Sequence, residues 1–168
     1  MNLSQPKNVR EYPRFWLPTK KKENLIITSS ISHIEVLPEK LGDKGAKDEE
    51  DYMALFDAEH FLEVEISTNI ILRAREIRNH YYIAADENGR GGKMMDIGDA
   101  IHLATASIYG VNEFHTRDKD KKGSKIPLLN LYAERGETKL CEKYDLKIIS
   151  PEAEQGVLPL DPVKKPEA

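Results

Sequence analysis

Four short apolar runs, separated by segments whose apolar residues recur every three or four positions, constrain this chain more than any other feature. The runs are "NLIITSS" (24–30), "HFLEVEIS" (60–67), "VNEFHT" (111–116) and "LKIIS" (146–150). Each is rich in β-favouring residues and stopped by serine, threonine or charge, so each predicts a short strand. The intervening segments are long enough for crossover helices, and strands alternating with helices argue an α/β layer around a parallel sheet. In such a sheet, sites form beyond the carboxyl ends of the strands.

The helices are legible in the same way. A serine at 29, 30 or 32 can cap "SHIEVLPEKL", where Ile34, Leu37 and Leu41 share a face until Pro38 distorts or ends the helix. "GDKGAKDEED" reads as a solvated loop leading into an amphipathic helix over "DEEDYMALFDA". After Ser67 or Thr68, an apolar stripe of Ile70, Ile71, Ala74, Ile77 and Tyr81 predicts the next helix. "ENGRGGK" (87–93) is turn-rich and lacks the strand-before, helix-after setting of a phosphate loop. Asp96 to Tyr109 predicts a further helix, closed by Gly110 where a left-handed cap is usual. "IPLLNLYAER" reads as a short helix or turn.

At 168 residues the chain is one domain's length, with room for a real core. The expected organisation is an irregular segment over 1–24, a domain over 25–152 and a tail over 153–168. The single cysteine, Cys141, rules out a disulfide framework within the chain and fits a reducing cytoplasm. No apolar run approaches the roughly 18 residues of a membrane span, and the first residues lack a signal-peptide core. The net charge of −4 gives no global sign of a nucleic-acid binder, so basic groups must be judged locally.

Three acids fall where a site would form. Glu35 follows the first strand, Asp99 opens the most apolar helix, and Asp118 follows the third strand. Each has a plain structural account. Asp96 and Asp99 suit a helix cap and first turn, Asp118 and Asp120 suit a turn, and Glu35 alone suits a solvated helix face. Against that, an acid at the start of a buried helix lies at a deep rim, where a cation is a natural partner. His33, His102 and His115 have no metal-ligand spacing, and His102 reads as packed or solvent-facing. Of the basic groups, Arg73, Arg75 and Arg78 do not all share one helical face. Arg117, Lys119, Lys121, Lys122 and Lys125 flank the proposed acidic site.

Taken together, "IITSSISHIEVL", "VEISTNIILRAREIR", "DIGDAIHLATASIYGVNEFHTRDKD" and "LKIISPE" resemble a PIN-domain ribonuclease, most closely the VapC-type toxin branch. The resemblance covers roughly residues 25 to 152, and "DAIHLATA…G…F.TRD" is its most specific part. It implies a three-layer α/β/α sandwich with a mainly parallel central sheet, and an acidic cluster binding Mg²⁺ or Mn²⁺ that hydrolyses RNA. Carried over by position, Glu35, Asp99 and Asp118 are the metal-binding catalytic acids. Thr116 orients the last of them, Asp96 and Asp120 support the site, and Arg117, Lys119, Lys121 and Lys122 hold RNA phosphates. The resemblance also implies a small antitoxin protein as partner, a homodimer, and no membrane.

One departure from the pattern is large. The family opens with a strand carrying an Asp, and no Asp precedes Asp43 here. Lys121 also stands where an aromatic residue is common. The expectation is therefore a chain lacking the N-terminal strand and its Asp. It is either a metal-dependent endoribonuclease of a type II toxin–antitoxin pair, or an inactive or truncated module that binds RNA or a protein without turnover.

Overall fold

The computed structural model describes residues 25–37, 45–119 and 123–151. Within them the chain runs β1 (Ile26–Ser29), α1 (Ser32–Glu35), α2 (Gly45–Ala54), a 3₁₀ turn (Leu55–Asp57), β2 (Phe61–Val64), α3 (Thr68–Tyr81) and α4 (Ile97–Ile108). It continues with β3 (Glu113–His115), a 3₁₀ turn (Leu128–Asn130), α5 (Leu131–Arg135) and β4 (Lys147–Ile149). All four expected strands form, and all pair in parallel. Ile26 to Ser29 align with Phe61 to Val64, and Glu113 to His115 with Lys147 to Ile149. Among the described residues these are two separate two-stranded ladders, with no strand joining β1 to β3. The α/β class with parallel strands is as the sequence predicts.

Between the ladders' crossovers sit the two helices that make most of the core. The stripe predicted for α3 is buried at Ile70, Ala74, Ile77 and Tyr81, whereas Ile71 faces outward. Helix α4 buries Ala100, Ile101, Leu103, Ala104, Thr105 and Ala106, so almost every face is covered except its ends. Small residues on both helices let α3 and α4 lie close together, and they share the largest helix–helix contact of the fold. Fully burying side chains such as Ile77 and Leu103 stabilises by about 1.5–3 kcal/mol each. The hydroxyl of Thr105, buried with them, donates to the Ile101 carbonyl 2.9 Å away, which satisfies it within the helix.

The helix ends follow their local chemistry. Ser67 Oγ accepts from the Ile70 amide and Asp96 Oδ1 from the Gly98 amide, each occupying one of the free N–H groups of a first turn. Gly110, with φ of 65°, follows α4 in the left-handed conformation that glycine adopts freely. The first helix is a correction. It spans one turn, its N-cap is Ile31 with no side-chain cap bond, and Val36 is already extended. None of Ser29, Ser30 and Ser32 caps it, and Ile34 is 74% exposed, so it does not form the apolar face expected with Leu37. Pro38 and Leu41 lie outside the described residues.

Candidate functional site

The site lies at the first turn of α4. Asp99 sits one turn before Leu103 and two before Ala106, both buried. It therefore continues the covered face of the helix, and its carboxyl lies half-buried at the rim of the core. Burial pushes the Asp99 carboxyl up to about 6, helped by the charges of Asp96 and Asp118, with Lys125 opposing and Glu35 adding a smaller rise. Three acids from three segments thus act on one half-buried carboxyl. A carboxylate crowded by like charges favours the proton over the empty anion.

Each neighbour is held by identifiable contacts. Asp118 follows β3, where the Thr116 hydroxyl accepts from the Asp118 amide at 3.1 Å. Its own Oδ2 accepts from the Leu128 amide at 3.1 Å, tying the segment after β3 to the 3₁₀ turn. Asp96 caps α4 and pairs with Lys125 Nζ at 2.6 Å, and that contact holds its carboxyl below its ordinary value. Lys125 reaches it because it bridges to Met94, two residues before Asp96. Glu35, at the end of α1, accepts from or shares a proton with His102 Nε2 at 2.9 Å. Its other oxygen, Oε1, lies over Gly98, where a Cβ would land on it.

The donors fit a hard divalent cation in kind, since all are carboxylate oxygens. Among the described residues, however, no three His, Cys, Asp or Glu side chains stand close enough to hold a metal ion between them. Glu35 is paired with His102, Asp96 with Lys125, and Asp118 with a backbone amide. Arg117 and Lys119 are exposed on either side of Asp118. Asp120, Lys121 and Lys122 lie outside the described residues.

Two residues of this neighbourhood have contacts that the sequence did not assign them. His102 follows Asp99 by three positions, a spacing that puts both on neighbouring parts of one helix face. That spacing was the available signal. Lys125 reads in the sequence as one of the basic residues flanking the site, but its pairing with Asp96 depends on a bridge between distant segments.

A family model described as PIN domain matches residues 10–123, more than half of the chain. No curated protein and no solved structure matches it.

Proposed function

This chain belongs to the PIN-domain family, and on that premise we propose that it is a metal-dependent endoribonuclease, acting as the toxin of a toxin–antitoxin pair in the cytoplasm. The family assignment makes it a member of a nuclease superfamily whose action on RNA generally depends on a divalent metal. The observation that carries the finer reading is Asp99, half-buried in the field of Asp96, Asp118 and Glu35. Glu35, Asp99 and Asp118 would hold Mg²⁺ or Mn²⁺. When bound, such an ion neutralises phosphate charge and lowers the pKa of a bound water.

The chain's own residues do the positioning. The Thr116 hydroxyl accepts from the Asp118 amide, and the Leu128 amide holds one Asp118 oxygen, which leaves the other for a cation in this reading. His102 steadies Glu35 above the start of α4. Arg117 and Lys119, with Lys121 and Lys122, offer cations for RNA phosphates, so binding should weaken with salt. No helix of the described residues is long and apolar enough to cross a membrane. An antitoxin seated over the acidic cleft and a homodimer complete the proposal.

A second reading has its own support. Among the described residues no three acidic, His or Cys side chains close on a metal, which favours a module that binds RNA or a protein without turnover. Calorimetric titration of Mn²⁺ decides between them when paired with cleavage of single-stranded RNA. Metal binding that Asp99→Asn removes, accompanied by cleavage, supports the nuclease. RNA binding with neither metal binding nor cleavage supports the inert module.

Gly98 offers a sharper check on Glu35. Alanine raises helix propensity by about 1 kcal/mol over glycine, and the group in its way is the tip of a mobile side chain. Gly98→Ala is therefore expected to keep or raise the melting temperature while turning Glu35 out of the site. Cleavage should fall about tenfold or more, an estimate from the loss of one placed charged group. Equal kcat/KM for the variant and its parent would count against a role for Glu35.

A further inference from the structure

An open groove of about 330 Å³ lies between α3 and the segment leading into α4. One wall is Arg75, Arg78, Asn79 and Tyr82, spaced i, i+3, i+4 and i+7 along a single face of α3 and its C-cap. The other wall includes Met94 and Ile97. Arg73, which spoiled the arginine track in the sequence, turns away and stacks on Tyr144, its guanidinium carbon 3.9 Å from the ring centroid. The remaining two arginines therefore do share a face.

We propose that this groove binds single-stranded RNA next to the cleavage site, stacking a base against Tyr82 and pairing the backbone phosphates with Arg75 and Arg78. The proposal deepens the nuclease reading and rests on it for the direction of the strand toward the acids. Three observations carry it. The large apolar side chains are left open, with Tyr82 53%, Met94 47% and Ile97 59% exposed. That offers flat and soft surface to a base, which stacks on aromatic rings without sequence preference. Among the described residues no carboxylate lies within ion-pair distance of Arg75 or Arg78, although the Arg78 charge also acts on Asp96. Arg78 donates from Nε to the Met95 carbonyl at 3.1 Å, which fixes its guanidinium at the groove floor and leaves its terminal nitrogens for phosphate.

Continuity with the acidic cleft decides the occupant. Arg78 bonds the carbonyl of Met95, the residue directly before the Asp96 cap, so a strand lying in the groove reaches the N-terminal end of α4. Two arginines and an asparagine along one wall suit a polyanion better than an apolar helix. An RNA strand uses both the cations and the ring.

The test is fluorescence anisotropy with an end-labelled oligouridylate, in an Asp99→Asn background so that the probe stays intact. Tyr82→Ala should weaken binding about tenfold, within the roughly 1–3 kcal/mol that one stacked base contributes. Tyr82→Trp should restore it. Arg75→Ala should lower both affinity and the salt slope, the latter by about 0.7 for one phosphate on a single strand. Tyr82 and Arg75 are exposed, and unchanged thermal melts would show that their replacement leaves the fold intact.

Parent-like binding by both alanine variants would overturn the proposal. A change in self-association or in protein binding, with RNA affinity unaltered, would overturn it equally and mark the groove as a protein surface. Failure of the parent to bind RNA would do the same. Cleavage by the unsubstituted chain is scored separately. If the chain cuts RNA while the variants bind normally, only the groove fails. If the chain binds through the groove and does not cut, only the nuclease reading fails.

Discussion

Replacing Asp99 with asparagine should abolish RNA cleavage and leave the fold standing, or make it slightly more stable. Asparagine keeps the shape and removes the charge of the acid that three neighbours surround. Loss of a charged group placed for metal and phosphate costs several kcal/mol of transition-state stabilisation, so kcat should fall on the order of a thousandfold. The stability sign follows from the raised carboxyl. Its ordinary value is 3.8 and its folded value about 6, so the folded chain holds this proton more tightly than the unfolded chain. The associated stability is present below pH 3.8 and is lost as pH rises through about 6. Asparagine resembles the neutral form. Its advantage over the parent should thus be absent near pH 4 and reach about 1 kcal/mol at pH 7, after allowance for solvent screening of a half-exposed group. Melting curves of both proteins across that range, without divalent ions, would show it. A variant that cuts at the parent rate ends the assignment, and a gap that widens toward acid pH ends the electrostatic account.

The two long helices were legible because their own residues determine them. The 3–4 spacing of Ile70, Ala74, Ile77 and Tyr81 appears in the fold as the buried face of α3. Asp96 and Gly110 mark the ends of α4 through chemistry confined to single turns. The strands were legible for a similar reason, since short β-branched runs bounded by polar residues have few other uses. The first helix was not. Its expected length rested on residues on both sides of Pro38, and proline disfavours the helical region for the residue before it. The site shows the same division. The placing of Asp99 and Asp118 follows from positions at helix and strand ends, which the order of elements predicts. The partners that now occupy Glu35 and Asp96 are His102 and Lys125, met across 67 and 29 residues of chain respectively. Pairings of that kind are decided by packing of the whole domain, and no local pattern announces them. The split of the strands into two ladders also belongs to tertiary structure, because each run reads as a strand whatever it pairs with.

Leu103→Ala tests the scaffold rather than the chemistry, and its expected effect on stability is the largest of any single change. Leu103 is fully buried, with Ala100 and Ala104 beside it equally covered and Ala74 buried on α3. Small neighbours hold the helix backbones close and cannot spread to fill a void, so the cavity would persist. Leucine-to-alanine changes of this kind cost about 2–5 kcal/mol, and a poorly collapsing site belongs in the upper half of that range. For a domain of this size that lowers the melting temperature by about 10 °C. A loss below about 1 kcal/mol in urea unfolding would show that the α3–α4 contact relaxes more freely than its packing implies. The variant also separates two ways of losing activity. Leu103 shares its helix face with Asp99 one turn away, yet touches the core and not the cleft. Well below its melting temperature, Leu103→Ala should therefore still cut RNA at close to the parent rate, whereas Asp99→Asn should not cut at any temperature. If the cavity silenced a fully folded protein, the carboxyl at the start of α4 would have to depend on the seating of the entire helix. Activity would then track helix packing and not the single charge.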